Sequence, residues 1–369
     1  MPRLFAITCV LLALANFINA RDHLDDDIIQ VLLENCKNEP EGCVASHEED
    51  RKERKLVRDF LVEELEFEEG LSEEEAGQKV EERLQKIQEL KTLIHAEMGL
   101  SDIPPADDGL FEGDIILTTK QAQDRIDQIK GRAKRSASIF FENKTAEFWT
   151  MPIRYWVNST EFNEEKIAMF DDAVKAITES VPCITFQKDE EPLTEGPQIQ
   201  FRLQSGICRG FSYIGPIEGA QCTDENLKGI IIHEVIHSLG GNHEQNRIDR
   251  NKYVEILWKN IDSRYTYAYH MDNDSTTYGV PYDYKSIMHY YNGAFAIVSP
   301  PVTMKVVNGS DIKMGSYAMT NNDILQLKRM YCSTCKDTTA SCGIQALDGR
   351  CNQEPTRTQC PRSCGQCDK

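Results

Sequence analysis

The 369-residue sequence predicts an α+β protein in three parts: an acidic helical leader, a central domain of mixed strands and helices, and a small disulfide-rich tail. Three observations predict it. Apolar residues recur at helical spacing between Ser72 and Gly99. Short strand-like runs and amphipathic helix patterns follow one another between Trp149 and Leu239. Six of the 13 Cys crowd into residues 335–367. The length leaves room for about two domains, and 40% apolar residues suffice for at least one sizeable core.

The first twenty residues stand apart. Arg3 precedes an apolar run from Leu4 to Ile18, which ends Ile18-Asn19-Ala20 before a charged stretch. A positive start, a short apolar core and a small final residue describe a secretory signal peptide over 1–20. The run is shorter than the roughly twenty apolar residues a membrane span needs, and no later segment is long enough. A secreted, extracellular protein with no membrane span is expected.

The leader, 21–135, holds most of the net charge of −19. Residues 1–135 carry 18 Lys+Arg against 31 Asp+Glu, whereas 136–369 carry 23 against 29. Nothing in the second part is basic enough for a nucleic-acid partner. Glu-rich and Lys/Arg-rich runs alternate over residues 46–98. Ser72 with Glu75 can form a capping box. Val80, Leu84, Ile87, Leu90 and Ile94 then recur at helical spacing, with Gly99 as the stop, so this helix is expected to pack its apolar face on something nearby. Arg132-Ala133-Lys134-Arg135 is a paired-basic site of the type cut by furin-like proteases. It places cleavage after Arg135 and the next domain at 136–334.

In that domain Ile167, Phe170, Val174 and Ile177 mark an amphipathic helix. Cys183 to Phe186 and Ile199 to Phe201 read as strands, and Gly229 to Leu239 as a helix. After Gly240 the half-domain reads as mostly irregular.

The helix carries the chemistry. His233-Glu234-Val235-Ile236-His237-Ser238-Leu239-Gly240-Gly241-Asn242-His243 reads H-E-x-x-H-x-x-G-x-x-H, the metzincin signature of zinc-dependent peptidases. Residues four apart leave one face of a helix one turn apart, so His233 and His237 can meet one metal. Gly240 can take the left-handed backbone that stops the helix and lets His243 return as a third ligand. Three protein nitrogens leave coordination open, the arrangement of a catalytic zinc, one Zn2+ per domain. Glu234 lies where a general base is needed.

Ser286-Ile287-Met288-His289-Tyr290 follows some forty residues later, preceded by Tyr282-Asp283-Tyr284, and His243-Glu244-Gln245-Asn246-Arg247 leads to Asp249-Arg250. In these stretches the chain resembles the astacin family, whose Met-turn has this form. The resemblance implies a mixed twisted sheet with helices above a cleft and an irregular lower half, and Trp149 to Tyr155 is similar to the family's opening strand. It implies that Met288 floors the site without binding metal. Tyr290 would be an additional ligand that swings away to stabilise the oxyanion. Phe111-Glu112-Gly113-Asp114 in the leader is similar to the family's F-x-G-D, which implies a zymogen with Asp114 on the zinc. Ile199 to Phe201 would be the edge strand that pairs with extended substrates, themselves extracellular proteins or peptides. The sequence departs from the family at Gly241-Asn242, which replace an aromatic pair. Ile248 stands where the family mostly has Pro. Gly315-Ser316-Tyr317 lacks the Arg that relatives use to favour acidic residues. The stretch from Ser136 to Trp149 is also longer than usual.

Without Cys9, twelve Cys remain for an oxidising compartment. Four cysteines allow three pairings, and six allow fifteen. The resemblance implies Cys183–Cys332 and Cys208–Cys222 in the central domain. Cys36–Cys43 would be a local bridge. The tail, 335–369, is too short to build a core and must rely on disulfides. It resembles the ShK toxin-like domain of nematode astacins, implying Cys335–Cys367, Cys342–Cys360 and Cys351–Cys364. The interval from Asn352 to Gln359 holds neither Lys nor Tyr, which disfavours the channel block of anemone relatives; matrix or protein docking is one role open to the tail. Sequons at Asn143, Asn158, Asn273 and Asn308 suit a secreted glycoprotein. The expected function is a secreted zinc metalloendopeptidase made as a zymogen. A binding protein on a degenerate scaffold would lack Glu234 or a ligand, and neither is lost.

Overall fold

The computed structural model describes residues 23–130, 149–160, 162–193, 198–201, 224–272, 275–339 and 341–367. The signal segment 1–20, the cleavage site after Arg135, the sequons Asn143 and Asn273 and the pair Cys208–Cys222 lie outside them.

The leader is helical: α1 (Asp26–Lys37), α2 (Glu48–Glu69), α3 (Glu73–Glu97) and α4 (Thr119–Ile129). Ser72 caps α3 by accepting from the Glu75 backbone N–H, and the Glu75 carboxylate accepts from the Ser72 N–H. Thr118 and Gln121 repeat the device at α4. Val80, Leu84, Ile87, Leu90 and Ile94 are all buried, so the stripe along α3 is a core face. It packs against α2 and α4, and the same core takes in Tyr267 and Ala268 from far downstream. The surface the stripe packs against is therefore shared between the leader and the domain that follows. Truncating a buried Leu or Ile here is expected to cost about 2–5 kcal/mol.

In the next region, among the described residues, β1 (Ile153–Val157) is the centre of a parallel three-stranded sheet, flanked by β2 (Phe186–Lys188) and β3 (Ile199–Phe201). Ile153, Tyr155 and Val157 alternate inward, as a half-buried strand requires. Tyr155 sits opposite both Lys188 and Ile199. Two strand boundaries differ from the sequence reading. β1 starts at Ile153, after Pro152, rather than at Trp149. β2 starts at Phe186 rather than Cys183, because the chain is still leaving the preceding helix by a turn in which Ile184 N–H donates to the Val181 carbonyl. That helix, α5 (Glu164–Ser180), is capped by Asn163 and buries Phe170, Ala173, Val174 and Ile177 against the sheet and α6 (Asp224–Ser238). α6 begins five residues before the Gly229 expected from sequence. Gly229 is a packing requirement inside it, since a Cβ there would lie 2.3 Å from the Tyr317 carbonyl oxygen.

Beyond α6 the chain is mostly short turns, with one antiparallel pair, β4 (Val254–Ile256) and β5 (Met304–Val306), and the short helix α7 (Asn321–Leu327). A small core of Val254, Ile261, Tyr269, Met304 and Met314 fills this half. Cys183 is bonded to Cys332, tying the end of α5 to the end of this region. Cys36 is bonded to Cys43 in the leader. In the tail, Cys335 pairs with Cys367, Cys342 with Cys360 and Cys351 with Cys364. The tail sits directly on the loop 276–280. Gly279 has φ 69°, and a Cβ on it would meet the Ser363 carbonyl oxygen at 2.3 Å. The two modules approach closely there because that position has no side chain.

Candidate metal centre

α6 places His233 and His237 one turn apart on its buried face, with their Nε2 atoms 2.9 Å from each other. Each ring is fixed from behind. His233 Nδ1 bonds the Ile287 carbonyl at 2.7 Å, and His237 Nδ1 bonds the Gly241 carbonyl at 2.7 Å. A carbonyl can only accept, so both Nδ1 atoms carry hydrogen and both Nε2 lone pairs face the site. Gly240, at φ 95°, ends the helix, and the backbone N–H groups of Gly240 and Gly241 close on the His237 and Ile236 carbonyls. The chain then reverses and brings in His243. Gly241 replaces an expected aromatic for a local reason, since a Cβ would lie 2.6 Å from Ile236 Cγ2. Asn242 donates to Asp272 at 2.6 Å.

The fourth arm comes from the leader. Phe111 and Ile115 exchange backbone hydrogen bonds of 2.7 and 2.8 Å, closing a tight loop around Gly113. Gly113 has φ 84°, and a Cβ there would press to 2.6 Å from Phe295 Cζ. The loop delivers Asp114, whose Oδ2 is 2.8 Å from His243 Nε2 and 3.7 Å from His233 Nε2. One ligand atom from each of Asp114, His233, His237 and His243 falls within 4.8 Å of the others, and all four residues are buried.

The donor set suits a zinc ion. Burial, then the neighbouring His233 and His243, hold His237 well below the usual histidine range, so its ring is neutral. Burial also pushes the His243 ring down, but Asp114 and Glu112 outweigh it and lift it to about 10. Asp114 is opposed by burial yet held well below the carboxylate range by the three imidazoles, so it is an anion. Its Oδ1 is buried without a hydrogen-bond partner, as suits an oxygen intended for a metal. Three imidazole nitrogens and one carboxylate oxygen match the usual ligands of a four-coordinate zinc.

Around this cluster, Glu234 is buried on α6 beside His233. Met288 is buried, its carbonyl accepting from the Glu244 N–H at 2.9 Å. The Tyr290 hydroxyl donates to the Glu112 carbonyl of the leader, and its ring lies against His243 with centroids 4.6 Å apart. Burial, then Asp114 and Glu112, hold its phenol far above the usual range, so it is a donor.

Three contributors escaped the sequence reading. Glu112 bonds His243 Nδ1 at 2.9 Å. Gln245 Oε1 accepts from the Tyr290 N–H at 3.0 Å. Asp323 accepts from Ser286 Oγ at 2.6 Å and from the Ile287 N–H at 3.1 Å, fixing the turn under the site. Only Asp323 left a usable signal, a Thr-x-x-Asp capping box at Thr320.

Of the remaining candidates, Asn158 is half-buried and Asn308 exposed, and each folds its own Oδ1 back on the residue two further along.

The family model for the astacin peptidases matches residues 141–332. Among curated proteins, the chain is 32% identical over 357 residues to zinc metalloproteinase nas-10 of Caenorhabditis elegans, covering 87% of this chain and 65% of that one. It is 32% identical over 331 residues to zinc metalloproteinase nas-9 of the same organism, covering 79% and 59%. This chain thus spans less than two thirds of either relative. Among solved structures, High choriolytic enzyme 1, a hatching enzyme zinc-protease from Oryzias latipes, is 27% identical, with a TM-score of 0.42 over 53% of this chain and 95% of that one.

Proposed function

This chain belongs to the astacin family, and we propose that it is a zinc-dependent endopeptidase stored with its leader seated in the active site. The observation that carries the reading is the convergence of Asp114, His233, His237 and His243. The three histidines would hold the metal throughout, and Asp114 would hold it only in the latent form. Bound zinc would supply a Lewis acid that polarises a carbonyl and makes water acidic near neutral pH.

The protein's own groups do the rest. Glu234, buried beside His233, accepts a proton from the attacking water and returns it to the leaving amine. A carboxylate suits both halves of that transfer. The backbone carbonyls of Ile287 and Gly241 keep the first two rings from rotating, so geometry is set before substrate arrives. Tyr290 is a neutral phenol whose donor is engaged by the leader. With the leader gone, the same O–H is available to the negative oxygen that develops on the scissile carbonyl. β3 lies at the edge of the described sheet, where an extended peptide would pair. Extracellular proteins or peptides are the substrate class, and cleavage after Arg135 by a furin-like protease is the activating step. The signal segment sends the chain out of the cell, and the tail, seated on the loop 276–280, is a docking module for matrix or protein.

The test is casein hydrolysis by the secreted chain after cleavage behind Arg135, beside Glu234→Ala and a zinc-chelated sample. Losing this acid–base group should lower the rate by about 100- to 10,000-fold with zinc retained, and chelation should abolish it. A cleaved wild type that holds zinc but leaves casein intact would remove the reading.

A further inference from the structure

The three histidines of the cluster are not oriented alike. His233 and His237 have their Nδ1 atoms on backbone carbonyls of the catalytic region itself, Ile287 and Gly241. The Nδ1 of His243 instead bonds the side chain of Glu112, a leader residue 131 positions earlier in the chain, at 2.9 Å. Asp114 lies on the other ring nitrogen at 2.8 Å. The leader therefore holds the third imidazole from both sides.

Glu112 is built for that contact. It is buried, and its backbone has φ 55°, in the left-handed region that non-glycine residues rarely adopt. Both its ends are engaged: the carbonyl accepts from the Tyr290 hydroxyl, and the carboxylate accepts from His243. Gly113 then turns the chain so that Asp114 arrives on the opposite nitrogen. A carboxylate hydrogen-bonded behind a ligating imidazole fixes its tautomer and raises its basicity, and removing such a partner typically weakens metal binding by about 10- to 100-fold.

We propose that Glu112 is a positioning residue for the third metal ligand, so that the leader completes the zinc site as well as blocking it. The inference rests on the zinc reading above and deepens it. The leader assists metal loading in the newly made chain, and its removal loosens the orientation of His243.

The test uses the uncut full chain loaded with one equivalent of zinc and titrated with a graded chelator. Glu112→Ala should release zinc at about 10- to 100-fold lower free chelator than wild type. Glu112→Gln, which still accepts from Nδ1, should recover most of that loss. The same comparison is then made in an Asp114→Ala background. If Glu112 acts through His243, the loss persists there. If it vanishes, Glu112 only steadies the Asp114 loop, and the inference is overturned. Equal retention by wild type and Glu112→Ala also overturns it while leaving the zinc reading intact. A wild type that takes up no zinc would sink both.

Discussion

Two helices in different regions begin with the same four-residue device, and it does different work in each. In the leader, Ser72 accepts from the Glu75 N–H, and Glu75 reaches back to the Ser72 N–H at 3.2 Å, in the open. In the irregular half, Thr320 and Asp323 make the same box, with a return bond of 2.8 Å. There the carboxylate is buried and also takes Ser286 Oγ and the Ile287 N–H, the turn that carries Met288 and lies behind His233. The open cap at α3 closes a helix end. A cap in the irregular half becomes the fixing point of the site.

The difference follows from where each region satisfies its backbone. Helices pair their own N–H and C=O groups, so the leader's polar side chains are free for other contacts. Irregular chain cannot, and buried backbone groups must find side chains. Arg250 donates to the Gln245 and Tyr269 carbonyls, Asn246 to Ala268, and Arg247 to Val280. Leader side chains such as Gln88 and Lys91 serve the non-helical stretch after α3, through the Pro105 and Ala106 carbonyls, and others reach the shared interface. Asp50, three residues after His47 and bonded to its N–H, also accepts from Arg264 and from the Tyr265 hydroxyl at 2.9 Å. His95 meets Thr266 Oγ1 at 3.0 Å.

The largest expected effect tests that interface. Asp50→Ala removes the anion facing Arg264, and breaking a buried pair costs about 3–5 kcal/mol. Asp262 remains beside Arg264 at 2.9 Å, so the lower figure is expected. Urea unfolding of the uncut chain reads it, and an unchanged midpoint would show that the interface is held by its apolar contacts alone. Next comes Asp323→Ala, which leaves the Ser286 hydroxyl and Ile287 N–H without their buried acceptor. At about 1–3 kcal/mol for an unsatisfied buried group, a thermal melt should show a loss of about 2–3 kcal/mol. A loss no larger than that of an ordinary cap would erase the contrast between the two boxes.

These two carboxylates also mark how far the sequence could be read. The stripe from Val80 to Ile94 was legible because one helix encodes its buried face at a fixed period. His233, His237, Gly240 and His243 were legible for the same reason, since eleven consecutive residues set their geometry. Asp114 was visible through its resemblance to a short motif. Glu112 and Gln245 were not, and Asp323 was visible only as a helix cap, because what they do at the site depends on partners 131, 45 and 36 residues away, and no spacing encodes such a meeting. The strand limits at Trp149 and Cys183 were missed where a proline and a turn overrode local apolar pattern.

Acid should probe the interface with a sign that can be worked out. Burial pulls His95 down to about 4 from 6.5, against the bond its ring makes to the Ile103 carbonyl and with a small push from Lys91. Facing it are Lys91 on its own helix, paired with Asp108, and the Thr266 hydroxyl and Tyr267 ring across the interface. The folded chain thus resists a proton that the unfolded chain accepts. This group's contribution is intact above pH 6.5 and is lost as pH falls from 6.5 toward 4. At pH 5 the loss is about 2 kcal/mol, at 1.36 kcal/mol per unit. Wild type should therefore lose that much more than His95→Gln between pH 7.5 and pH 5 in denaturant titrations. Parallel losses would mean that His95 is reached by water when the leader is docked.

The smallest effect is the most discriminating control. Ser72→Ala removes the open box of α3 and should cost about 1 kcal/mol, seen in the same thermal melt as Asp323→Ala. It touches nothing in the metal cluster, so zinc retention should not move. Asp323→Ala should shift both melt and zinc retention, because its carboxylate holds the turn whose Ile287 carbonyl orients His233. If Ser72→Ala also loosened zinc, the leader would transmit strain along α3 to the Asp114 loop. The two regions would then have to be treated as one cooperative unit rather than as a scaffold and a site.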